Sequence, residues 1–314
     1  MAKPILKWAG GKGQLMSRLD DRIPKEFRNG QITTYAEPFI GGGALLFYVL
    51  SKYQVENAYM SDVNPELILF YCVVQRHPNQ LLDELELLSN HYYAFDEQDD
   101  RKDFFYQVRQ AFNESNVYDD IHINELNHHF VDIENIQNAC IRAAQFFFLN
   151  RTCFNGLFRV NKSGLFNVPF GNYKNPVIFD AERLVVCSEQ LQIVQIALSS
   201  YEQIPDEFLQ HSFIYFDPPY RPLSGSSSFT AYSKSGFNDE NQAALAEYFA
   251  SIGNNENIYL MLSNSDPKNV DVDDNFFDEL YQGFNIERVL ASRMINANGA
   301  GRGKINEILV RNYL

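Results

Sequence analysis

Phe213-Ile214-Tyr215-Phe216-Asp217-Pro218-Pro219-Tyr220 is the stretch whose reading decides the fold. Its first four residues have the aromatic and β-branched composition of a buried strand. Two consecutive prolines lack amide protons and are fixed in φ, so they end both the ladder and any helix and leave Asp217 at the carboxyl edge of a sheet. Open α/β sheets bind ligands at that edge. A carboxylate, a carbonyl and an aromatic ring in sequence suit a planar base whose exocyclic amine donates to Asp217 and to the Pro218 carbonyl while its ring lies on Tyr220. Taken alone, the tetrapeptide is also a strand followed by a proline turn, which occurs in proteins of every function. Its partners in the chain must decide.

Upstream, Thr33-Thr34-Tyr35-Ala36-Glu37-Pro38-Phe39-Ile40-Gly41-Gly42-Gly43 followed by an apolar stretch at 44–50 reads as strand, glycine loop and helix, the first βα unit of a nucleotide-type fold. A strand at 57–61 ends in Asp62, about 20 residues past the loop, where an acidic side chain reaches ribose hydroxyls. Residues 62–65 also read as an Asx turn ahead of a helix over 66–75, and the two readings are compatible. At the start of the chain, Ile5-Leu6 open a strand-like segment that runs into Lys7-Trp8-Ala9-Gly10-Gly11-Lys12-Gly13, with a helix from about Gln14. The Walker A spacing is absent. Glycines that let a ligand approach the backbone, beside the only tryptophan of the chain between two lysines, favour a binding turn over a plain one.

Downstream, a helix at 182–190 and a strand at 193–198 lead to Ser199-Ser200-Tyr201 and the opening stretch. The polar residues 222–229 read as a mobile loop over the site or a linker. A helix at 239–252, a strand at 258–264 and closing strands around a basic loop complete the α/β pattern. Arg293, Arg302 and Lys304 in that loop are candidates for holding phosphates or merely for solubilising it.

Between 65 and 175 the α/β rhythm breaks into helical stretches at 81–88, 104–112 and 133–149, separated by acidic loops. The expected organisation is therefore a catalytic domain of residues 1–65 and 176–314 with a mainly helical insert at 66–175. The insert ends in a segment whose turn Asn161-Lys162-Ser163-Gly164 predicts a β-hairpin with Arg159 beside its tip. Basic, amide and aromatic side chains interleaved on a ribbon suit major-groove readout, although a solvated surface hairpin has the same composition.

A net charge of -14 argues at first against DNA, yet residues 83–134 hold 14 acidic and 3 basic residues, leaving 26 acids against 23 bases elsewhere. The acidity is segregated, which predicts a solvated face turned away from DNA. Cys72, Cys140, Cys153 and Cys187 show no metal-site spacing and read as buried thiols in a reducing compartment, with no metal expected. No apolar run approaches membrane-spanning length and no signal peptide is evident, so the expected location is the cytoplasm.

In order, Lys-Trp-Ala-Gly-Gly-Lys, Glu-Pro-Phe-Ile-Gly-Gly-Gly, Asp62, the insert and Asp-Pro-Pro-Tyr make the chain resemble the Dam-type (D12 class, alpha group) DNA adenine-N6 methyltransferases over nearly its whole length. The resemblance implies a Rossmann-like α/β sheet that uses S-adenosylmethionine and a target-recognition insert carrying the hairpin. It places Trp8, Lys12, Phe39, Gly41, Asp62, Tyr201 and Asp217 at the cofactor, with Asp62 on the ribose, and Asp217, Pro218 and Tyr220 in catalysis. Where many members carry an aspartate, this chain has Ser200-Tyr201-Glu202. Lys7, Leu157, Arg159, Pro169 and Tyr173 match positions used by relatives that methylate GATC, and Asn155 is placed with them on double-stranded DNA. A flipped adenine and a monomer working without metal or membrane complete the expectation. A cytosine-N4 or glutamine-N5 methyltransferase more often has serine or asparagine at position 217. An inactive DNA-binding relative and the methylase of a restriction-modification system are also open readings. A dehydrogenase is disfavoured because its G-x-G-x-x-G loop is absent here.

Overall fold

The computed structural model describes residues 4–8, 10–116, 121–124, 130–223, 237–292 and 304–314, with the backbone alone at residues 14, 121–124, 130, 292 and 304. In chain order the elements are α1 (Met16–Asp20), α2 (Lys25–Arg28), β1 (Thr34–Glu37), α3 (Ala44–Lys52), β2 (Asn57–Asp62), α4 (Pro65–Arg76), α5 (Pro78–Ala94), α6 (Gln98–Glu114), β3 (Ile121–Asn124), β4 (Phe130–Ile133), α7 (Ile136–Thr152), α8 (Ala181–Leu191), β5 (Val194–Leu198), β6 (Ser212–Phe216), α9 (Asp239–Gly253), β7 (Ile258–Ser265), α10 (Phe276–Leu280), β8 (Asn285–Ser292) and β9 (Lys304–Arg311). They fall into two compact units. One comprises Met1–Gly11, Ile40–Lys52 and Met60–Ser200; the other comprises Lys12–Phe39, Tyr53–Tyr59 and Tyr201–Leu314.

In the second unit the strands run β1-β6-β7-β9-β8. β1 pairs parallel with β6, and β6 with β7 in the register Ser212↔Ile258 to Phe216↔Leu262. β9 is antiparallel to both β7 and β8. All five residues of β6 are buried, as expected for a strand covered on both faces, and the two prolines stop it at Phe216. α9 begins with a reciprocal box in which the Asn238 side chain accepts from the Asn241 amide and Asn241 returns the bond. This parallel sheet closed by an antiparallel pair is the expected Rossmann-like methyltransferase fold. It delivers Phe39, just after β1, and Asp217, just after β6, to the carboxyl edge where such sheets bind ligands.

The first unit is mainly helical. α7 packs on α4, α5 and α6, with small Ala139 and Ala143 beside the large Phe146, Phe147 and Phe148 in its buried face. A buried ion pair joins two of these helices: Arg142 Nη2 lies 2.5 Å from Glu66 Oε1, and its Nη1 donates to the Phe112 carbonyl at 3.1 Å. Strands β3, β4 and β5 form an antiparallel run. Asp83, Glu86, Asp99, Asp100 and Asp103 stand exposed on α5 and α6, so that part of the acidic segment is a solvated face. No described helix is long and apolar enough to cross a membrane, and all four cysteines are buried free thiols.

Three local expectations change. Residues 5–6 form no strand, because the Asn150 side chain takes both main-chain groups of Lys7, accepting from its amide at 2.9 Å and donating to its carbonyl at 2.7 Å. The helix expected from residue 133 starts at Ile136 under an Asn135 cap, since residues 130–133 pair with 121–124 instead. The hairpin is minimal: the bridge Val160↔Phe166 and the bonds Asn161 N to Leu165 O and Asn167 N to Arg159 O replace two regular strands.

Candidate active site

Asp217 is half-buried at the end of β6 and already engaged. Lys12 Nζ lies 2.6 Å from its Oδ1, and Ser263 Oγ donates to the same oxygen at 3.1 Å. Ser263 in turn shares a 2.7 Å hydrogen bond with the buried Tyr215 hydroxyl. Burial pushes the Asp217 carboxyl upward, and the Lys12 ammonium and Ser263 oppose that shift. The Lys12 ammonium also sits 4.5 Å over the Tyr220 ring, whose hydroxyl donates to Glu307 Oε2 of β9 at 2.6 Å. Burial, then the charges of Asp217 and Glu307, raise the Tyr220 phenol well above its ordinary value, so the ring stays neutral. It is fixed at its hydroxyl and covered by a cation on one face.

The turn that carries this pair cannot hold itself, because Pro218 and Pro219 have no amides to donate. Buried amide side chains hold it instead. Gln242 of α9 donates to the Pro219 carbonyl at 2.9 Å, Asn264 of β7 accepts from the Arg221 amide at 3.1 Å, and Asn264 donates to Gln242 at 3.1 Å. Ser265 Oγ donates to the Arg221 carbonyl at 2.7 Å. Beyond the turn, the Arg221 guanidinium pairs with Asp239 and Asp274 and lies 4.2 Å over the Phe276 ring. The backbone that follows Pro218 is thus held at the Pro219 carbonyl and at both main-chain groups of Arg221. In the same unit Phe39 stacks on Tyr201, with ring centroids 5.4 Å apart and 25° between the planes. Burial and Glu202 push the Tyr201 hydroxyl up to about 12.

In the first unit, Asp62 organises the glycine loop. Its Oδ2 accepts from the Gly41 amide at 3.2 Å and its Oδ1 from the Asn64 amide at 3.0 Å, while Asn64 caps α4. Burial raises the Asp62 carboxyl to about 6, against these backbone bonds. Gly41 has φ +46°, and a Cβ there would stand 3.0 Å from Trp8 Cδ1, so the position favours glycine. Trp8 stacks on Phe158 at 5.8 Å.

The residues assigned to DNA lie in this same unit. Lys7 Nζ sits 4.8 Å over the Tyr173 ring, and the Tyr173 hydroxyl accepts from the amide of Asn155, which is left-handed at φ 56°. Burial and the charge of Arg151 lower the Lys7 pKa. Arg159 is exposed and its Nε donates to Asn167 at 2.7 Å. The Pro169 carbonyl accepts from Phe154, whose own carbonyl accepts from Leu157. Lys7 is thus brought to the segment 155–173, with Lys7 on Tyr173 and Tyr173 on the Asn155 amide.

Sequence reasoning missed Ser263, Gln242, Asn264 and Glu307. A polar run, Ser263-Asn264-Ser265, at the end of an apolar strand was a usable signal, since buried polar groups need partners. Nothing local marks Gln242 or Glu307. Arg293, Arg302 and the proposed loop residues 224–229 lie outside the described residues, and Lys304 is described by its backbone alone. Among the described residues no cluster has the makings of a metal site.

The family model of the D12 class N6 adenine-specific DNA methyltransferase matches residues 8–295. The type II methyltransferase M.MjaIII of Methanocaldococcus jannaschii is 46% identical over 313 residues, 99% of each chain. The DNA adenine methylase of Vibrio cholerae is 32% identical over 98% of this chain and 95% of its own, and that of Escherichia coli is 32% identical over 98% and 94%.

Proposed function

The chain belongs to the D12 class of N6 adenine-specific DNA methyltransferases, and from that premise we propose that it methylates the adenine of GATC in double-stranded DNA, using S-adenosylmethionine and a flipped-out base. The observation that carries the proposal is the Asp217 turn: a carboxylate, a proline backbone held by the Gln242 and Asn264 bonds, and a ring pinned through Glu307.

The chain's residues fit the cofactor. A carboxylate offers about four acceptor sites, and those of Asp62 not taken by loop amides suit two ribose hydroxyls. The Phe39 and Tyr201 rings suit a planar base, and Trp8 packs against Gly41 of the loop. When bound, S-adenosylmethionine supplies the electrophilic methyl group.

Adenine N6 is a poor nucleophile because its lone pair is delocalised into the ring. Accepting its two hydrogens at Asp217 and at the Pro218 carbonyl draws the nitrogen toward tetrahedral geometry and frees the pair. The Lys12 ammonium, now on Asp217 Oδ1 and over Tyr220, must share or yield those positions to the base. Stacking on Tyr220 is worth on the order of 1–3 kcal/mol of base binding. A base within a duplex cannot reach this turn, which is the case for flipping.

The case for GATC is the match of Lys7, Leu157, Arg159, Pro169 and Tyr173 to the positions of GATC-reading relatives, together with the similarity to DNA adenine methylases. The type II name of the Methanocaldococcus relative favours one second reading, a companion of a restriction endonuclease at this or another short site. Incubation with S-adenosylmethionine and unmethylated plasmid, followed by nucleases that cut GATC only when methylated or only when not, tests the proposal. Cleavage by the first and protection from the second is expected. Labelled methyl in DNA with neither pattern changed would reject GATC.

A further inference from the structure

The hairpin is too short to be rigid by its own bonds, since two-stranded ribbons are marginal even when regular. Its carboxyl arm is instead splinted by one face of α6. Asn113 makes a reciprocal pair with Phe166, donating to its carbonyl at 3.1 Å and accepting from its amide at 2.8 Å, as a neighbouring strand would. Arg109 donates to the Val168 carbonyl at 3.4 Å, Arg101 to the Lys174 carbonyl at 3.0 Å, and Gln98 to the Tyr173 carbonyl at 3.2 Å. Rings lock the same arm, Phe105 against Phe170 at 5.5 Å and Phe112 against Phe166 at 6.2 Å.

The spacings from Gln98 to Arg101, Arg109 and Asn113 place all four side chains on one face of the helix, away from its exposed Asp99, Asp100 and Asp103. Along the arm, alternation does the rest. Phe166 and Val168 are buried, whereas Pro169 is exposed and Asn167 reaches Arg159. Whatever sets the height and twist of residues 166–174 also sets where Arg159, Pro169 and Tyr173 stand.

We propose that α6 determines the DNA-sequence selectivity of the enzyme without contacting bases, with Asn113, Arg109 and Gln98 as positioning residues that fix the pitch of the reading ribbon. The inference rests on the reading that the ribbon contacts bases. A well-aimed bidentate contact discriminates against a wrong base by roughly tenfold or more, and that discrimination depends on aim.

The test uses the full chain and a duplex carrying the site that the wild-type enzyme methylates, alongside duplexes with one base pair of that site changed. The quantity read is the ratio of kcat/KM on the first to kcat/KM on each of the others. Asn113→Leu with Arg109→Met removes the upper clamp; Gln98→Met loosens the Tyr173 end should the double variant fail to fold. The ratio is expected to fall roughly tenfold at one or more positions, with S-adenosylhomocysteine affinity unchanged. Arg159→Ala is measured in parallel. If Arg159→Ala loses discrimination while folded α6 variants lower both rates equally, or neither, the splint is refuted although the ribbon reads DNA. If Arg159→Ala also keeps full discrimination, the ribbon reading itself falls and takes the inference with it.

Discussion

Lowering the pH from 7 to 5 should weaken cofactor binding about tenfold, because the Asp62 carboxyl titrates at about 6 in the free protein and only its ionised form accepts both ribose hydroxyls. At pH 7 about nine-tenths of the molecules are competent and at pH 5 about one-tenth, and the apparent Kd scales inversely with that fraction. Burial is what raises the group; the amides of Asn64 and Gly41 keep it from rising further. The assay is titration with S-adenosylhomocysteine, followed by calorimetry or by the fluorescence of Trp8, the single tryptophan, which lies against Gly41. Asp62→Asn is the control and should bind more weakly with the Asp62 step gone. The folding effect has the opposite sign. Since folding raises this carboxyl, its stability contribution is fully present below the unfolded-chain value and is lost as pH rises through about 6. Acidification therefore stabilises the free protein at this group while it weakens binding. Equal affinity at pH 7 and pH 5, or a step that persists in Asp62→Asn, would refute the reasoning.

Gln242→Leu should lower kcat by about tenfold to a hundredfold with cofactor affinity preserved, because a turn without amide donors loses the bond that holds the Pro219 carbonyl; steady-state kinetics with methyl-labelled cofactor reads it. Lys12→Met removes the cation that opposes burial at Asp217, so the acidic limb of the kcat profile should move to higher pH, read in steady-state rates across the acid range. Arg142→Met removes the ion pair from the largely buried Glu66 carboxylate and should cost about 3–5 kcal/mol in urea unfolding, much of it recovered when Glu66→Gln is added.

Most of the sheet was legible because its signals are local. β6 is an apolar run stopped by prolines, α9 shows a helical period, and Asp62 follows a glycine loop at nucleotide-fold spacing. What was not legible depends on pairing over long sequence distances. Ile5-Leu6 has strand composition, yet the Lys7 backbone is taken by Asn150, 143 residues away. Residues 130–133 continue an apolar period into α7, yet they pair with 121–124 instead. The site behaves in the same way. Asp217, Pro218 and Tyr220 are contiguous and could be read directly, whereas Ser263, Gln242 and Glu307, which hold them, come from three other elements and carry no motif. The ribbon's turn was visible in Asn161-Lys162-Ser163-Gly164, but not its dependence on α6, because side chain to backbone bonds leave no periodic trace.

The most direct test of Asp217 as the group that activates adenine is nucleoside mass spectrometry of unmethylated DNA treated with S-adenosylmethionine and either the wild-type protein or Asp217→Ala. N6-methyladenine is the methylated nucleoside expected from the wild type, and none is expected from the variant, which should still fold. N4-methylcytosine in place of N6-methyladenine, or an undiminished yield of N6-methyladenine from Asp217→Ala, would contradict that role.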